Sequence, residues 1–195
     1  FNSCVSPGGE KATIVGHDWG GAIAWNFAMS FPGMTDKLII VNLPHPRGIL
    51  SELKNNPEQK ANSQYARDFQ KPDSHERLNA RMLAGIVAKD EEARAKYVEA
   101  FSRSSLKGMM HYYRENYPRE PYGSQSAEIP RISAPVLQFH GLGDKALHHH
   151  GLNNTWEWLE KDYTLVTIPG VGHWAHHEAA DLVTDTMKWW LKMRR

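Results

Sequence analysis

Residues 16–21 constrain the fold of this 195-residue chain more than any other segment. Their sequence is Gly-His-Asp-Trp-Gly-Gly, and they stand between the apolar run 12–15 and the largely apolar segment 22–28. This pattern predicts a strand, a tight turn and a helix, because the flanking glycines let the chain bend sharply. The frame Gly-x-nucleophile-x-Gly holds one side chain up at the tip of such a turn, and here that side chain is Asp18.

An aspartate at this tip, where esterases and lipases carry serine, predicts attack on a saturated carbon. The carboxylate would form an ester with that carbon, and water would then attack the carbonyl carbon of the aspartate. An ordinary aspartate, with a pKa of about 3.9, is already ionised near neutral pH and needs no base for the first step. We expect the amide of Trp19 to donate to the oxyanion of the second step. The alternative is that Asp18 only caps the following helix.

Composition narrows the classes of partner. The formal net charge of +1 gives no reason to expect nucleic acid or an anionic membrane as a partner. No apolar run approaches the roughly 20 residues of a membrane span. The single cysteine, Cys4, cannot form an internal disulfide. We expect a small-molecule substrate, no cofactor and, by default only, a cytoplasmic location.

Apolar runs of strand length alternate with helical patterns along the chain. The predicted strands are 12–15, 38–41, 136–140 and 165–168, and the predicted helices beside them are 20–30, 152–161 and 178–192. Residues from about 47 to 128 are instead charged, polar and helical in pattern. This order predicts an α/β fold, with a partial parallel sheet flanked by helices and an inserted helical cap. We place the α/β core at 1–46 and 131–195, and the cap at 47–130.

Two further polar segments follow predicted strands, where the active sites of parallel sheets lie. Asp144 ends the segment 140–144 (His-Gly-Leu-Gly-Asp), and His173 lies in the segment 170–174 (Gly-Val-Gly-His-Trp). The chain order nucleophile, acid, histidine is the order expected for this architecture. We predict that His173 activates water and that Asp144 orients its imidazole. The alternatives are a turn-forming Asp144 and an ordinary loop histidine.

Residues 148–150 are three consecutive histidines. Adjacent side chains do not easily converge on one ion, and no acidic or cysteine cluster accompanies them along the sequence. We therefore expect no metal site in this chain. Solvated histidines at the start of a loop or helix are the expected alternative.

These motifs resemble the α/β-hydrolase superfamily, and within it the branch of epoxide hydrolases and haloalkane dehalogenases. Residues 16–21 look like its nucleophile elbow and residues 170–174 like its histidine loop, while 42–46 (Asn-Leu-Pro-His-Pro) and 63–72 are similar to its cap entry and cap. The resemblance implies a hydrolase that opens epoxides to diols through an aspartyl ester. Haloalkane dehalogenation by the same mechanism, and a truncated, non-catalytic binding protein, are the alternatives.

The resemblance also implies roles for residues of the cap. Epoxide hydrolases usually carry two cap tyrosines that bind the epoxide oxygen and help to protonate the alkoxide, and Tyr113 matches the second of them. Asp68 stands at the place of the first, which is a departure, whereas Tyr65 lies one helical turn earlier and would face the same way. We therefore expect Tyr113 to be catalytic, and Tyr65, Trp19 and His17 to bind substrate.

The family has several strands before its elbow, and a loop among them supplies the second oxyanion-hole amide. Here only residues 1–11 precede the elbow strand, and the chain begins with Phe1. We expect the chain to be a fragment, or a separate chain to supply the remaining strands, or the protein to rearrange or form homo-oligomers that cover the sheet edge. In each case we expect the chain alone to have little or no activity.

Overall fold

The computed structural model describes residues 11–88, 90–123 and 129–194. Cys4 and the polar segment 1–11, apart from Lys11, lie outside these ranges. The described residues form two compact units, one within Phe1–Gln59 and Ser124–Arg195 and the other within Lys60–Gly123. The first unit is α/β and the second is helical. The cap boundaries at 47–130 stay a prediction.

The first unit contains a parallel sheet with the strand order β1-β2-β3-β4 among the described residues. The strands are β1 (Ala12–His17), β2 (Thr35–Val41), β3 (Val136–Gly141) and β4 (Tyr163–Ile168). Each predicted apolar run lies within one of them. The α/β class and the partial parallel sheet are therefore confirmed.

Helices account for most of the other described residues, and none of them is long and apolar enough to cross a membrane. In chain order they are α1 (Trp19–Ser30), α2 (Pro46–Asn55), α3 (Pro57–Asn62), α4 (Gln64–Phe69), α5 (Ala80–Val87), α6 (Glu91–Ser102), α7 (Leu106–Asn116), α8 (Ala175–Glu178) and α9 (Ala180–Lys192). In the second unit, the side chains of Asn79, Asp90 and Ser105 accept backbone N–H groups at the starts of α5, α6 and α7. These caps satisfy donors that a helix start leaves unpaired.

The core of the first unit lies on both faces of the sheet. Strand β2 shows the reason, because Leu38 and Ile40 belong to an apolar cluster with α1 while Ile39 and Val41 belong to a second cluster with α9. Each cluster contains a fully buried tryptophan, Trp25 in the first and Trp190 in the second. Full burial of one aliphatic side chain, such as that of Leu38 or Ile39, stabilises the fold by roughly 1.5–3 kcal/mol. A strand that is apolar on both faces needs helices on both sides.

The helix predicted at 152–161 is wrong. The chain there forms two 3-10 turns, His149–Leu152 and Thr155–Trp158, with Asn154 between them at a φ of 60°. A residue in the left-handed region interrupts a right-handed helix, and asparagine adopts that region more readily than most residues. The helix predicted at 178–192 is confirmed as α9, which begins two residues later, at Ala180, after the short helix α8.

Candidate active site

The turn between β1 and α1 holds Asp18 in a conformation that few residues adopt. Its backbone has a φ of 50° and a ψ of −123°, and its side chain makes no capping hydrogen bond to α1. A Cβ atom at Gly16 would overlap the carbonyl group of Gly20, so the two ends of the turn approach each other closely. The Asp18 carboxylate instead accepts a hydrogen bond from the amide of Trp19. This geometry argues against the helix-cap alternative, since strained residues of this kind cluster at functional sites.

The imidazole of His173 lies between two carboxylates. Its Nδ1 atom lies 2.8 Å from Oδ2 of Asp144, and its Nε2 atom lies 3.4 Å from Oδ1 of Asp18. The side chain of Asp144 is fully buried, that of His173 is 18% exposed and that of Asp18 is 31% exposed. The structure therefore brings together Asp18, Asp144 and His173, which were predicted from their positions after strands. Asp18 is the most accessible of the three.

The charges of these three groups depend on one another. Burial by itself lowers the pKa of His173, but its hydrogen bonds to Asp144 and Asp18 outweigh burial and raise the pKa to about 9. Burial by itself raises the pKa of both carboxyl groups, yet their hydrogen bonds from His173 leave each pKa below its usual value. At neutral pH the site is therefore an imidazolium ion held between two carboxylates.

Asp144 uses its two carboxylate oxygens for different purposes. Oδ1 accepts the backbone N–H groups of Ala146 and Leu147, at 2.8 and 3.0 Å, and so forms a turn after β3. Oδ2 faces His173, as described above. The turn-forming alternative and the orienting geometry thus coexist in one residue, and the turn fixes the direction of the second oxygen.

Sequence analysis missed Asn42. Its buried side chain donates from Nδ2 to Oδ2 of Asp144 at 3.0 Å and to the carbonyl oxygen of Gly172 at 3.1 Å, so it joins the acid to the histidine loop. Its φ of 47° is another left-handed conformation. The available signal was its position directly after the apolar run of β2, at the same sheet edge as Asp18 and Asp144.

His17 lies against the loop that carries His173. Its Nε2 atom donates to the carbonyl oxygen of His173 at 2.9 Å, and its ring lies 4.3 Å from that of His176 and 4.9 Å from that of Trp174. Burial lowers the pKa of His17, and burial together with the neighbouring histidines lowers that of His176 to about 4. These contacts hold the loop in place, while the substrate-binding roles of His17 and Trp19 stay predictions.

In the second unit, Tyr113 on α7 and Tyr65 on α4 lie side by side. Their ring centroids are 6.1 Å apart, and Phe69 packs on Tyr113 at 5.0 Å. The carboxylate of Asp68 instead forms an ion pair with Lys71 at 2.6 Å and is 47% exposed. Tyr65, rather than Asp68, is therefore the neighbour of Tyr113, as the helical spacing suggested.

The described residues include one group of three side chains that could hold a metal ion, namely His148, His149 and His150. The group lies on the chain between β3 and β4 and shares no member with the cluster around Asp18. In that cluster, the imidazole nitrogens of His173 are already engaged by carboxylates.

Comparisons with known proteins identify the family of this fold. The family model of the alpha/beta hydrolase fold matches residues 8–180. Human Epoxide hydrolase 4 is 27% identical over an alignment that covers 96% of this chain and 55% of the relative. Epoxide hydrolase 1 of Caenorhabditis elegans is 30% identical, with 93% of this chain and 48% of the relative covered. The chain thus spans about half the length of these two relatives.

A solved structure gives the same result at the level of the backbone. It is described among novel epoxide hydrolases belonging to the α/β-hydrolase superfamily in metagenomes from hot environments. It is 31% identical to this chain and superposes with a TM-score of 0.81, over 94% of this chain and 68% of the other. The sheet, the cluster around Asp18 and these matches lead to one conclusion: the chain belongs to the α/β-hydrolase fold family and is similar to its epoxide hydrolases.

Proposed function

We propose that this chain carries the nucleophile, base and acid of an enzyme that opens epoxides to diols. The observation that carries the proposal is the imidazole of His173 between Asp18 and Asp144, at 3.4 and 2.8 Å. In the first step a carboxylate oxygen of Asp18 attacks an epoxide carbon, a carbon–oxygen bond of the ring breaks, and an ester forms. We assign to Tyr113 the proton that the alkoxide needs, because a phenol of pKa about 10 is an adequate acid for an alkoxide.

Formation of the ester changes the charge beside His173, and this change enables the second step. The ester of Asp18 carries no charge, so one of the two carboxylates that raise the pKa of His173 is lost. His173 then releases its proton to solvent, from which the phenolate of Tyr113 is reprotonated. The free Nε2 atom of His173 accepts a proton from water as the water oxygen attacks the ester carbonyl. The amide of Trp19 donates to the resulting oxyanion. Collapse of this intermediate passes the His173 proton to the leaving diol oxygen and leaves Asp18 as a carboxylic acid. This acid gives its proton to His173, which restores the carboxylate and the imidazolium.

The pair of tyrosines favours an epoxide over a haloalkane as the substrate. A departing halide needs hydrogen-bond donors but no proton, whereas an opened epoxide needs an acid. Tyr65 and Tyr113, with ring centroids 6.1 Å apart, supply two phenols in one place. Retention of His173 and of both carboxylates beside it argues against a non-catalytic binding protein.

The test is a single turnover in heavy-oxygen water, with the protein in excess over an aryl epoxide or, separately, a bromoalkane. We expect the first diol to carry an ordinary oxygen from Asp18 and the heavy oxygen to enter the carboxylate, as read by mass spectrometry of both. Asp18→Asn should abolish the reaction. Asp185→Asn is the matched control, because Asp185 is an exposed carboxylate, paired with Lys188 on α9.

His173→Gln separates the two steps. We expect this variant to accumulate the alkyl-enzyme, visible as a mass increase on the peptide that contains Asp18. Heavy oxygen in the first diol would show direct attack by water and overturn the covalent mechanism. Rapid turnover by His173→Gln would remove His173 from the proposed role. A single turnover with protein in excess detects even the weak activity expected of the chain alone, so a wild type that no epoxide alkylates under these conditions would support the binding-protein alternative.

A further inference from the structure

A second cluster of titratable side chains lies where the chain after β3 meets α2 and α3. We propose that His148, His149 and His150, together with Glu52 and Glu58, form a binding site for a divalent transition-metal ion, with Zn²⁺ as its ligand. The site shares no residue with the cluster around Asp18 and does not depend on the proposed epoxide chemistry. The proposal departs from the expectation, based on adjacency in the sequence, that this chain has no metal site.

The imidazoles are already gathered on one side of the chain. One ligand nitrogen from each of the three residues lies within 4.8 Å of the others, and the ring centroids are 4.4 to 4.6 Å apart. A tetrahedral Zn²⁺ ion with Zn–N distances of about 2.0–2.1 Å needs nitrogens about 3.3 Å apart. The rings of His149 and His150 are exposed, so small rotations about their side-chain bonds close the remaining distance.

The 3-10 turn His149–Leu152 explains this convergence. His148 caps the turn, because its Nδ1 atom lies 3.3 Å from the backbone N–H of His150 and accepts from it. The turn folds the chain back on itself within three residues, which an extended segment would not do. In an open loop or at the start of a regular helix, three adjacent histidines would not converge in this way.

Two glutamates flank His148. An oxygen of Glu52 lies 3.5 Å from Nδ1, and an oxygen of Glu58 lies 3.5 Å from Nε2. Glu52 is only 14% exposed, whereas Glu58 is 68% exposed. We assign Glu58 as the fourth ligand. When Nε2 of His148 binds the ion, Nδ1 carries the proton, so it gives up the hydrogen bond from the His150 N–H and donates to Glu52, in the manner in which carboxylates orient metal-binding histidines. The acidic groups that the sequence alone did not reveal thus come from α2 and α3.

Buried contacts hold the backbone of the site in place. The side chain of Gln59 is 1% exposed, accepts the backbone N–H of His148 at 2.6 Å and donates to the carbonyl oxygen of Ala146 at 2.8 Å. A Cβ atom at Gly48 would overlap the carbonyl oxygen of Gly151, so α2 packs directly on the backbone of the turn. A site supported in this way loses little freedom when an ion binds.

The surroundings match the chemistry of such an ion. A cavity of about 350 Å³ is lined by Glu52, Asn55, Asn56, Pro57, Glu58, His148 and His150. Imidazole-rich sites prefer Zn²⁺ and its neighbours to Mg²⁺ or Ca²⁺.

Calorimetric titration of the metal-stripped chain with ZnCl₂ near neutral pH tests the proposal. We expect one ion to bind per chain, and Mg²⁺ not to compete. His149→Asn combined with His150→Asn should weaken binding by at least about a hundredfold, since loss of one orienting partner already weakens metal sites about 10–100-fold. His111→Asn is the matched control, an exposed histidine on α7 outside the cluster, and its affinity should be unchanged.

A thermal readout separates binding from misfolding. Zn²⁺ should raise the melting temperature of the wild type, because an ion that binds only the folded state stabilises it, and should leave that of the double variant unchanged. His173→Gln, which removes an imidazole from the other cluster, should bind Zn²⁺ as the wild type does. Absence of saturable binding to the wild type, or equal affinity in the double variant, would overturn the proposal.

Discussion

His173 contributes to the stability of the fold as well as to the proposed reaction. Its pKa is raised from 6.5 to about 9, because its two carboxylate partners outweigh the effect of burial. A group with a raised pKa in the folded state stabilises that state fully below its unfolded pKa, here about 6.5. That contribution is lost as the pH rises through about 9. The imidazolium between two carboxylates is therefore a source of stability that alkaline conditions remove.

We predict that the free energy of unfolding of the wild type falls between about pH 7 and about pH 10, with His173 contributing roughly 1–3 kcal/mol of that loss. His173→Gln should lack this part of the decrease, since glutamine does not titrate. Urea unfolding of both proteins at the two pH values measures the difference. Equal losses in the wild type and in His173→Gln would contradict the prediction.

Residue type and strand-end position were enough to nominate Asp18, Asp144 and His173 from the sequence. Asn42 could not be found in the same way, because an asparagine has no ionisable group and its role depends on two hydrogen bonds across the fold. The neighbours of His148 were hidden for a related reason. Glu52 and Glu58 are far from it in sequence and reach it only when α2 and α3 fold against the turn.

At the scale of elements, the turn between β1 and α1 distinguishes its two flanking glycines. A Cβ atom at Gly16 would overlap backbone atoms of Gly20 and Gly21, which side-chain rotation cannot relieve. A Cβ atom at Gly20 meets no described atom within 4 Å. Close backbone packing in the motif Gly-x-Asp-x-Gly thus requires a glycine at Gly16 but not at Gly20.

We predict that Gly16→Ala destabilises the protein by about 1–3 kcal/mol, as overpacking generally does, and slows alkylation of Asp18. Gly20→Ala should change stability by no more than about 1 kcal/mol, and in the favourable direction, because alanine is the better helix former. Urea unfolding and mass spectrometry of the alkylated peptide report the two effects. Similar losses in both variants would show that the motif is not asymmetric in this way.

Strands with continuous apolar runs were among the elements that the sequence predicted correctly. Residues 38–41 of β2 and all residues of β3 are buried, and most of them are apolar. The segment 152–161 has apolar residues as well, but Asn154 in the left-handed region divides it into two turns. Whether a single asparagine adopts that conformation depends on the packing around it, which composition does not record.

At the scale of the whole molecule, β1 forms one edge of the described sheet. Apolar side chains are open to solvent there, with Val15 56% exposed and Ile23 of the adjacent α1 49% exposed. A parallel strand that is apolar and uncovered on its edge favours association with another chain. We therefore expect the isolated chain to self-associate in a concentration-dependent way.

We predict that Val15→Lys shifts the isolated chain towards the monomer, because a charge on this strand opposes edge pairing. Sedimentation velocity over a range of concentrations measures the shift. Met193→Lys is the control, since Met193 is 66% exposed but lies at the end of α9, away from β1. Association that persists unchanged in Val15→Lys, or a wild type that stays monomeric, would contradict this expectation.

The two-sided burial of β2 has a consequence for how the chain finds its alignment. Because both faces are apolar, a slip by one residue would exchange Leu38 with Ile39 and still bury a hydrophobic side chain on each side. Asn42 removes this degeneracy, because its backbone N–H donates to the carbonyl oxygen of Phe139 at 3.0 Å while its buried side chain donates to Asp144 and Gly172. Asn42, which orients the proposed acid Asp144, therefore also fixes the register of β2 against β3.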